Sequence, residues 1–180
     1  MKNSKIAMVI HGGAGTIARS AMTAEKEAEI RAVLEASVLA GHSALANGAS
    51  GERAVIAAIN VMEDSPLFNA GKGSVYNAAG NHEMDASIME GAGLEAGAVA
   101  SVTNIKNPID LAARVMTESE HVMLIGDGAE AFAKRQGFEA VEQSYFHTDF
   151  RWQQLQRIKA AEAAEMPEPE QDQQLSRIHI

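Results

Sequence analysis

The chain has 180 residues, a length typical of one domain, and 46% of them are hydrophobic, which indicates a folded core. A formal net charge of −9 disfavours nucleic acid and an anionic membrane surface as partners, because both attract basic side chains. The absence of cysteine excludes disulfides and thiolate metal sites.

The first predicted element is a short buried strand, Lys5 to His11, which ends in glycines. Thr23 is the predicted N-cap of a long helix that ends near Gly48. Ser50 is predicted to cap a second helix. That helix should end before Ser65-Pro66, because a residue that precedes proline avoids the helical region.

Two successive strands follow a glycine-rich loop. In the first, Met84, Ala86 and Ile88 share one face. The predicted elements are a loop at Pro66–Asn77, strands at His82–Glu90 and Ala96–Thr103, a helix from Asn107-Pro108, a central strand at His121–Ile125, a helix through Phe132 and a helix from Asp149 to Ala164. Adjacent strands between helices disfavour a doubly wound sheet and favour a layered α+β fold.

We expect one domain over residues 1–160 and an acidic, proline-broken, disordered tail over residues 161–180. No segment approaches the ~20 apolar residues of a membrane span. The apolar run near the N-terminus is also shorter than the core of a signal peptide. We therefore expect a cytoplasmic protein.

The stretch HGGAGT, His11 to Thr16, leaves the first predicted strand through Gly12, Gly13 and Gly15. Their spacing does not match the dinucleotide-binding or Walker patterns. The residues alone leave two possibilities open. One is a tight turn packed against other backbone, and the other, less favoured, is an anion- or nucleotide-binding loop.

The loop Pro66–Asn77 also allows two interpretations, a cation-binding loop and a packed turn. Gly71 and Gly73 let the backbone curl and turn several carbonyl groups inward, which suits a hard cation, and Asn69 offers both a donor and an acceptor. The alternative is a packed turn with Phe68 as its hydrophobic plug. A metal site at His82, Glu83 and Asp85 is disfavoured, because adjacent residues of a strand point to opposite faces.

Five segments occur in order at compatible spacings: HGGAGT, PLFNAGKGSVYN, HEMDASIMEG, AGAVASVTNIKNPI and HVMLIGDGAEAFA. Over residues 5–158 the chain resembles the α-subunit half of the plant-type asparaginase/isoaspartyl peptidase family, which belongs to the N-terminal-nucleophile hydrolases, and most of all its bacterial members. The resemblance implies half of a four-layer αββα sandwich. It also implies a precursor that cuts itself before a threonine, which then attacks asparagine or β-aspartyl dipeptides.

The same resemblance implies roles for individual residues. Asn69 would support the nucleophile, and Gly12, Gly13 and Gly15 would be bare backbone beside the active site. No cofactor would be required, but a structural sodium ion would be held by the main-chain carbonyls of Met62, Glu63, Ser65, Phe68, Ala70 and Lys72. The strand at Glu83-Met84-Asp85 would be core architecture.

One departure from the family is clear. The chain has no Gly-Thr-Val-Gly junction, none of its threonines (Thr16, Thr23, Thr103, Thr117 and Thr148) lies in that context, and it ends in SRIHI rather than glycine. We therefore expect it to be inactive alone and to need a β subunit of the same precursor. A dimer of αβ heterodimers acting on a small-molecule substrate is expected.

Four alternatives remain. The first is a truncated, non-catalytic remnant of the family with the same half-fold. Two lie within the family: glycosylasparaginase, which usually carries a secretory signal and disulfides that are not seen in this sequence, and threonine aspartase. The fourth is an anion- or nucleotide-binding α/β domain that uses the glycine turn.

Overall fold

A computed structural model of the chain describes residues 6–13 and 22–165. The helices are α1 (Ala24–Ala46), α2 (Gly51–Glu63), α3 (Pro108–Glu118), α4 (Gly126–Arg135) and α5 (Asp149–Glu165), the strands are β1 (Met84–Met89), β2 (Ala96–Val102) and β3 (Met123–Ile125), and two short 3₁₀ turns lie at Gly71–Gly73 and Gln143–Tyr145. Within these residues, no helix is both long enough and apolar enough to cross a membrane.

The predicted caps of α1 and α2 are confirmed. The hydroxyl oxygens of Thr23 and Ser50 each accept a hydrogen bond from the backbone N–H three residues later. Gly48 has a φ of +84° just after α1, as a helix-terminating glycine should. The two helices pack together, and Ser37 donates a buried 2.7 Å hydrogen bond to the Ala58 carbonyl.

The sheet has the order β1-β2-β3, with β1 and β2 antiparallel and β2 and β3 parallel. Helix α3 packs on β1 and β2, and α4 packs on β2 and β3. Gly97 allows α3 to lie this close, because a Cβ there would overlap the Ala112 carbonyl. The core consists of Met84, Ile88, Val99, Val102, Ile105, Ile109, Leu111, Ala112, Val115, Ala129, Phe132, Ala133 and Phe146.

The other face of the sheet is open. Strand pairing places Ser87, Met89, Ala96, Ala98, Ala100, Met123 and Ile125 on this open face. Met89, Met123 and Ile125 are 63%, 51% and 62% exposed, although Met84 and Ile88 of the opposite face are buried, as their alternation predicts. A half-apolar face of this kind is typical of a surface that packs against another layer.

Two predicted strands need correction. The predicted strand at Lys5–His11 is wrong for residues 6–11, the part that the structure describes. These residues pair with no described strand, and Val9 is 88% exposed. An apolar run forms a strand only where a neighbour completes its ladder. The predicted central strand at His121–Ile125 is shorter, and it lies at the edge of the described sheet, because β2 pairs on both sides.

The remaining differences are smaller. Met84 belongs to the core, but Glu83 and Asp85 are exposed, so only part of the predicted core strand is buried. Helix α5 continues to Glu165, into the segment for which the sequence predicts a disordered tail. Residues 166–180 lie outside the described part of the chain. The mixed helix and strand content agrees with the predicted α+β class.

Candidate functional site

Residues 62–72, the carbonyl loop, form a compact turn at the end of α2. Just after α2, the Oγ of Ser65 accepts a 3.3 Å hydrogen bond from the Leu67 N–H and so turns the chain. A Cβ at Gly71 would overlap the Glu63 carbonyl, and a Cβ at Gly73 would overlap the Phe68 carbonyl. Gly71 also has a φ of +49°. Glycine is therefore required at both positions for the loop to fold back on its own carbonyl groups.

Several carbonyl oxygens of this loop keep their acceptor capacity. The oxygens of Met62 and Ala70 accept backbone hydrogen bonds at 3.2 and 3.1 Å, from Ser65 and Gly73. The oxygens of Glu63, Ser65, Phe68 and Lys72 accept none from donors in the described ranges. The lone pairs of these four carbonyl oxygens are therefore available to water or to a cation.

This donor set fits the predicted sodium ion. Neutral carbonyl oxygens are hard ligands of the kind that hard cations prefer, and the glycine cradle keeps side chains out of their way. Clusters of three His, Asp or Glu suited to a metal do not occur among residues 6–13 and 22–165. A cation at the carbonyl loop would therefore depend on the main chain.

The side chain of Glu63 lies, 4% exposed, between the end of α2 and the start of α3. Its Oε1 accepts a 3.1 Å hydrogen bond from the Ile109 N–H, and its Oε2 accepts one of 3.2 Å from Asn107 Nδ2. Burial raises the pKa of Glu63 to about 7. The two hydrogen bonds oppose this increase in the pKa, and the charges of Asp110 and Asp64 add to it.

Asn69 lies in the carbonyl loop with a fixed orientation. Its Oδ1 accepts a 2.8 Å hydrogen bond from the Val75 N–H, so the amide oxygen is engaged. The residue is exposed, which leaves its Nδ2 group accessible as a donor. A donor held by backbone at its other end can stabilise negative charge or orient a hydroxyl group.

The described part of the HGGAGT stretch lies next to this loop. A Cβ on Gly12 would stand 3.4 Å from the Phe68 ring and 2.8 Å from a terminal methyl of Leu34, which would have to shift. Gly13 has a φ of +112° and faces open space. Gly15 lies outside the described residues. Because Phe68 precedes Asn69, the structure brings the glycine turn and the carbonyl loop into one region.

The described part of the glycine turn already uses one of its backbone donors. His11 Nδ1 accepts a 3.2 Å hydrogen bond from the Gly13 N–H, a group that a phosphate loop would turn toward the anion. This contact does not favour the nucleotide-binding alternative.

Two contacts that the sequence does not predict hold the segment just after the carbonyl loop. Arg151 of α5 donates a 2.8 Å hydrogen bond from Nε to the Gly73 carbonyl. Buried His82 lies with Nδ1 3.1 Å from the Ser74 Oγ, and the Tyr76 ring packs at a tilt against its ring. The first contact joins residues 78 positions apart, and the second depends on how the chain between Gly73 and β1 folds back.

The described threonines all have structural partners. Thr23 and Thr148 accept helix-capping hydrogen bonds from backbone N–H groups. Thr103 donates to a Glu130 carboxylate oxygen at 2.7 Å, and Thr117 donates to the carbonyl one helical turn earlier. Thr16 lies outside the described residues. None of the four described threonines has the free N-terminal amine that a self-activated nucleophile requires.

Comparison with known proteins decides the family. A family model described as Asparaginase matches residues 4–178. The chain belongs to this asparaginase family. The proposed resemblance is therefore confirmed at the level of the family.

The relatives of this asparaginase-family chain include bacterial, archaeal and eukaryotic proteins. It is 43% identical to an isoaspartyl peptidase of Salmonella typhimurium over 88% of the chain and 50% of that relative. It is 45% identical to a putative isoaspartyl peptidase/L-asparaginase of Dictyostelium discoideum over 87% of the chain and 45% of that relative. For a plant-type L-asparaginase of Pyrococcus abyssi, the identity is 46% over 83% of the chain and 48% of that relative. The chain spans about half the length of these relatives.

Proposed function

We propose that this chain is the α-subunit half of an isoaspartyl peptidase/L-asparaginase. The nucleophile would be the N-terminal threonine of a β subunit, released from the same precursor by autocatalytic cleavage. Its hydroxyl would attack the β-amide carbonyl of asparagine or of a β-aspartyl dipeptide, and its own amine would take the hydroxyl proton and pass it to the departing nitrogen. Cleavage of the amide bond would release ammonia or the second amino acid and leave an acyl-enzyme, which water would then hydrolyse to aspartate. This assignment is supported by family membership over nearly the whole chain.

A single structural observation carries the proposal that a second half is needed. The open face of the sheet exposes Met89, Met123 and Ile125 in a chain that spans about half the length of its relatives. A partner layer that buries these side chains would gain about 25 cal/mol per Å² of apolar surface removed from water. The proposed occupant is the β subunit, which would complete a four-layer sandwich. Pairing of two such heterodimers is the proposed assembly.

The residues of this chain would shape the site rather than carry out the bond cleavage. Asn69 would donate from Nδ2 to the nucleophile region, because Val75 already engages its Oδ1. Gly12 and Gly13 would form the wall beside it, together with Gly15. A sodium ion at the carbonyl loop would supply fixed positive charge that rigidifies the main chain preceding and following Asn69.

The test is expression of the complete reading frame beside this chain alone. We expect the complete product to yield a second chain that begins with threonine and to release aspartate from β-aspartyl dipeptides and asparagine. We expect no turnover from this chain alone, since the proposed nucleophile lies outside it. Turnover by the isolated chain would overturn the proposal. A reading frame without the threonine junction would favour the non-catalytic remnant instead.

A further inference from the structure

The carboxylate of Glu63 is buried without a cationic side chain as its partner among the described residues. Its two hydrogen bonds come from neutral donors, the Ile109 N–H and the Asn107 amide. Lys106, which precedes α3 in the chain, places its ammonium group 3.1 Å from the carboxylate of Asp64 instead. Buried charges are normally paired with a counter-charge or lie beside a metal ion.

The neighbours of Glu63 make the local charge more negative. Asp64 and Asp110 are both close enough for their charges to act on the Glu63 carboxyl. Asp110 accepts hydrogen bonds from the Asn60 amide at 3.3 and 3.4 Å, and that contact adds no positive charge. The end of α2 and the start of α3 therefore carry three carboxylates and one lysine.

The carbonyl loop begins at this same point. The main-chain oxygen of Glu63 is one of the four that receive no hydrogen bond from the described residues, and it faces Gly71. A carboxylate in a poorly solvated position exerts a stronger field than one in water. The first turn of α3 offers Glu63 only the partial positive charge of a helix N-terminus, and a cation at the neighbouring carbonyls would add a full positive charge.

We propose that the side-chain carboxylate of Glu63, without coordinating the ion, sets the affinity of the carbonyl loop for a monovalent cation. This inference rests on the proposed cation site. The main-chain carbonyls would bind the ion, and the Glu63 side chain would determine how tightly they do so. The other possible role of Glu63 is that of a cap for α3, which holds Ile109 and Asn107 in place. The two roles respond differently to substitution.

The experiment uses the protein expressed from its complete reading frame, at pH 8.5 and constant ionic strength, with sodium replaced stepwise by choline. The midpoint of thermal unfolding is followed for the wild type and for the E63Q, N107A and E35Q variants, and sodium binding is followed directly by ²³Na NMR line broadening. E63Q removes the charge but keeps an acceptor, N107A removes one hydrogen bond but keeps the charge, and E35Q removes an exposed charge of α1.

We expect sodium to raise the unfolding midpoint of the wild type, and E63Q to require about tenfold more sodium for half of that effect. N107A should unfold at a lower temperature with an unchanged sodium midpoint, and E35Q should behave like the wild type. If E63Q does not fold, a tenfold weaker sodium response in N107A contradicts the proposal, because the charge is still present there.

Two other results would overturn the inference. A wild-type sodium midpoint in E63Q would leave Glu63 as a helix cap only, and a wild type without any sodium response would remove the cation site. Neither result concerns the proposed hydrolase. That activity is measured separately as the release of aspartate, so the two proposals fail independently.

Discussion

The amide oxygen of Asn69 accepts a 2.8 Å hydrogen bond from the Val75 N–H, six residues further along the chain. This contact closes the carbonyl loop and determines which end of the amide is available to a ligand. The Nδ2 group donates to no acceptor among the described residues, so both of its hydrogens are available, whereas one lone pair of the oxygen is already used. The site therefore offers a positioned hydrogen-bond donor at Asn69.

The first prediction tests this donor. In the protein from the complete reading frame, N69D keeps an oxygen for the Val75 N–H but removes the NH₂ group, so the loop should persist while kcat falls about 10²-fold. N81A, a change at an exposed asparagine of the β1 approach, should keep wild-type kcat. Steady-state kinetics with a β-aspartyl dipeptide give the measurement. Equal kcat for N69D and wild type would exclude a donor role.

The second prediction concerns Gly73, which directly follows the carbonyl loop and packs against its main chain. G73A places a Cβ against the Phe68 and Pro66 carbonyls, and overpacking of this kind costs about 1–3 kcal/mol. G128A, in α4 with nothing near its Cβ, should instead stabilise the fold by about 0.5–1 kcal/mol. Urea unfolding followed by circular dichroism checks both variants. Similar changes in the two would mean that the cradle is not tightly packed.

The third prediction is a pH dependence. Burial lowers the pKa of His82 below the usual 6.5, hydrogen bonding with the backbone of Val75 and Ser74 opposes this, and the charge of His147 adds to the lowering. The unfolded state then binds the proton at higher pH than the native state. The contribution of His82 to the free energy of unfolding is therefore constant above pH 6.5. As the pH falls below that value, this contribution lowers the free energy of unfolding progressively.

Unfolding free energies at pH 7.5 and 5.5 test this dependence. The loss of stability on acidification should be smaller in H82Q than in the wild type, because the buried titrating group is gone. H121Q, which changes an exposed histidine, should retain the wild-type loss. An unchanged loss in H82Q would show that other groups cause the acid sensitivity.

The fourth prediction tests the open face. I125K places a charge where the proposed β subunit would pack, so it should abolish co-purification of the two halves without lowering the amount of folded α chain. L39K changes an exposed leucine of α1 and should leave assembly unchanged. Size-exclusion chromatography of the co-expressed halves distinguishes these cases. Normal assembly of I125K would place the contact elsewhere.

Local signals in the sequence predicted local structure well. Thr23 and Ser50 cap their helices by accepting a hydrogen bond from the N–H three residues later. The contact involves only a few adjacent residues, so the local sequence is enough to predict it. The alternation of Met84 and Ile88 likewise predicted the buried side of β1, since a strand has a period of two. Such features depend little on the rest of the chain.

Predictions that depend on distant partners were less successful. The apolar run at Ile6–Ile10 looks like a strand, yet Val9 is exposed, because the described chain supplies no neighbour for it. The link between Glu63 and the start of α3 also had no signal, since the two lie in separate elements. The loop composition pointed to Asn69 as a donor and acceptor, but its role beside the nucleophile came only from the family resemblance, and its orientation became evident only from the contact with Val75.

The hydrogen bond from Arg151 to the Gly73 carbonyl joins residues 78 positions apart. During synthesis on the ribosome, Gly73 emerges long before Arg151 is made. The segment that follows Asn69 therefore gains this contact only after the first turn of α5 has folded back onto it. A nascent chain stopped before residue 151 would lack the hydrogen bond, so an element near the end of the described chain completes the support of a loop made much earlier.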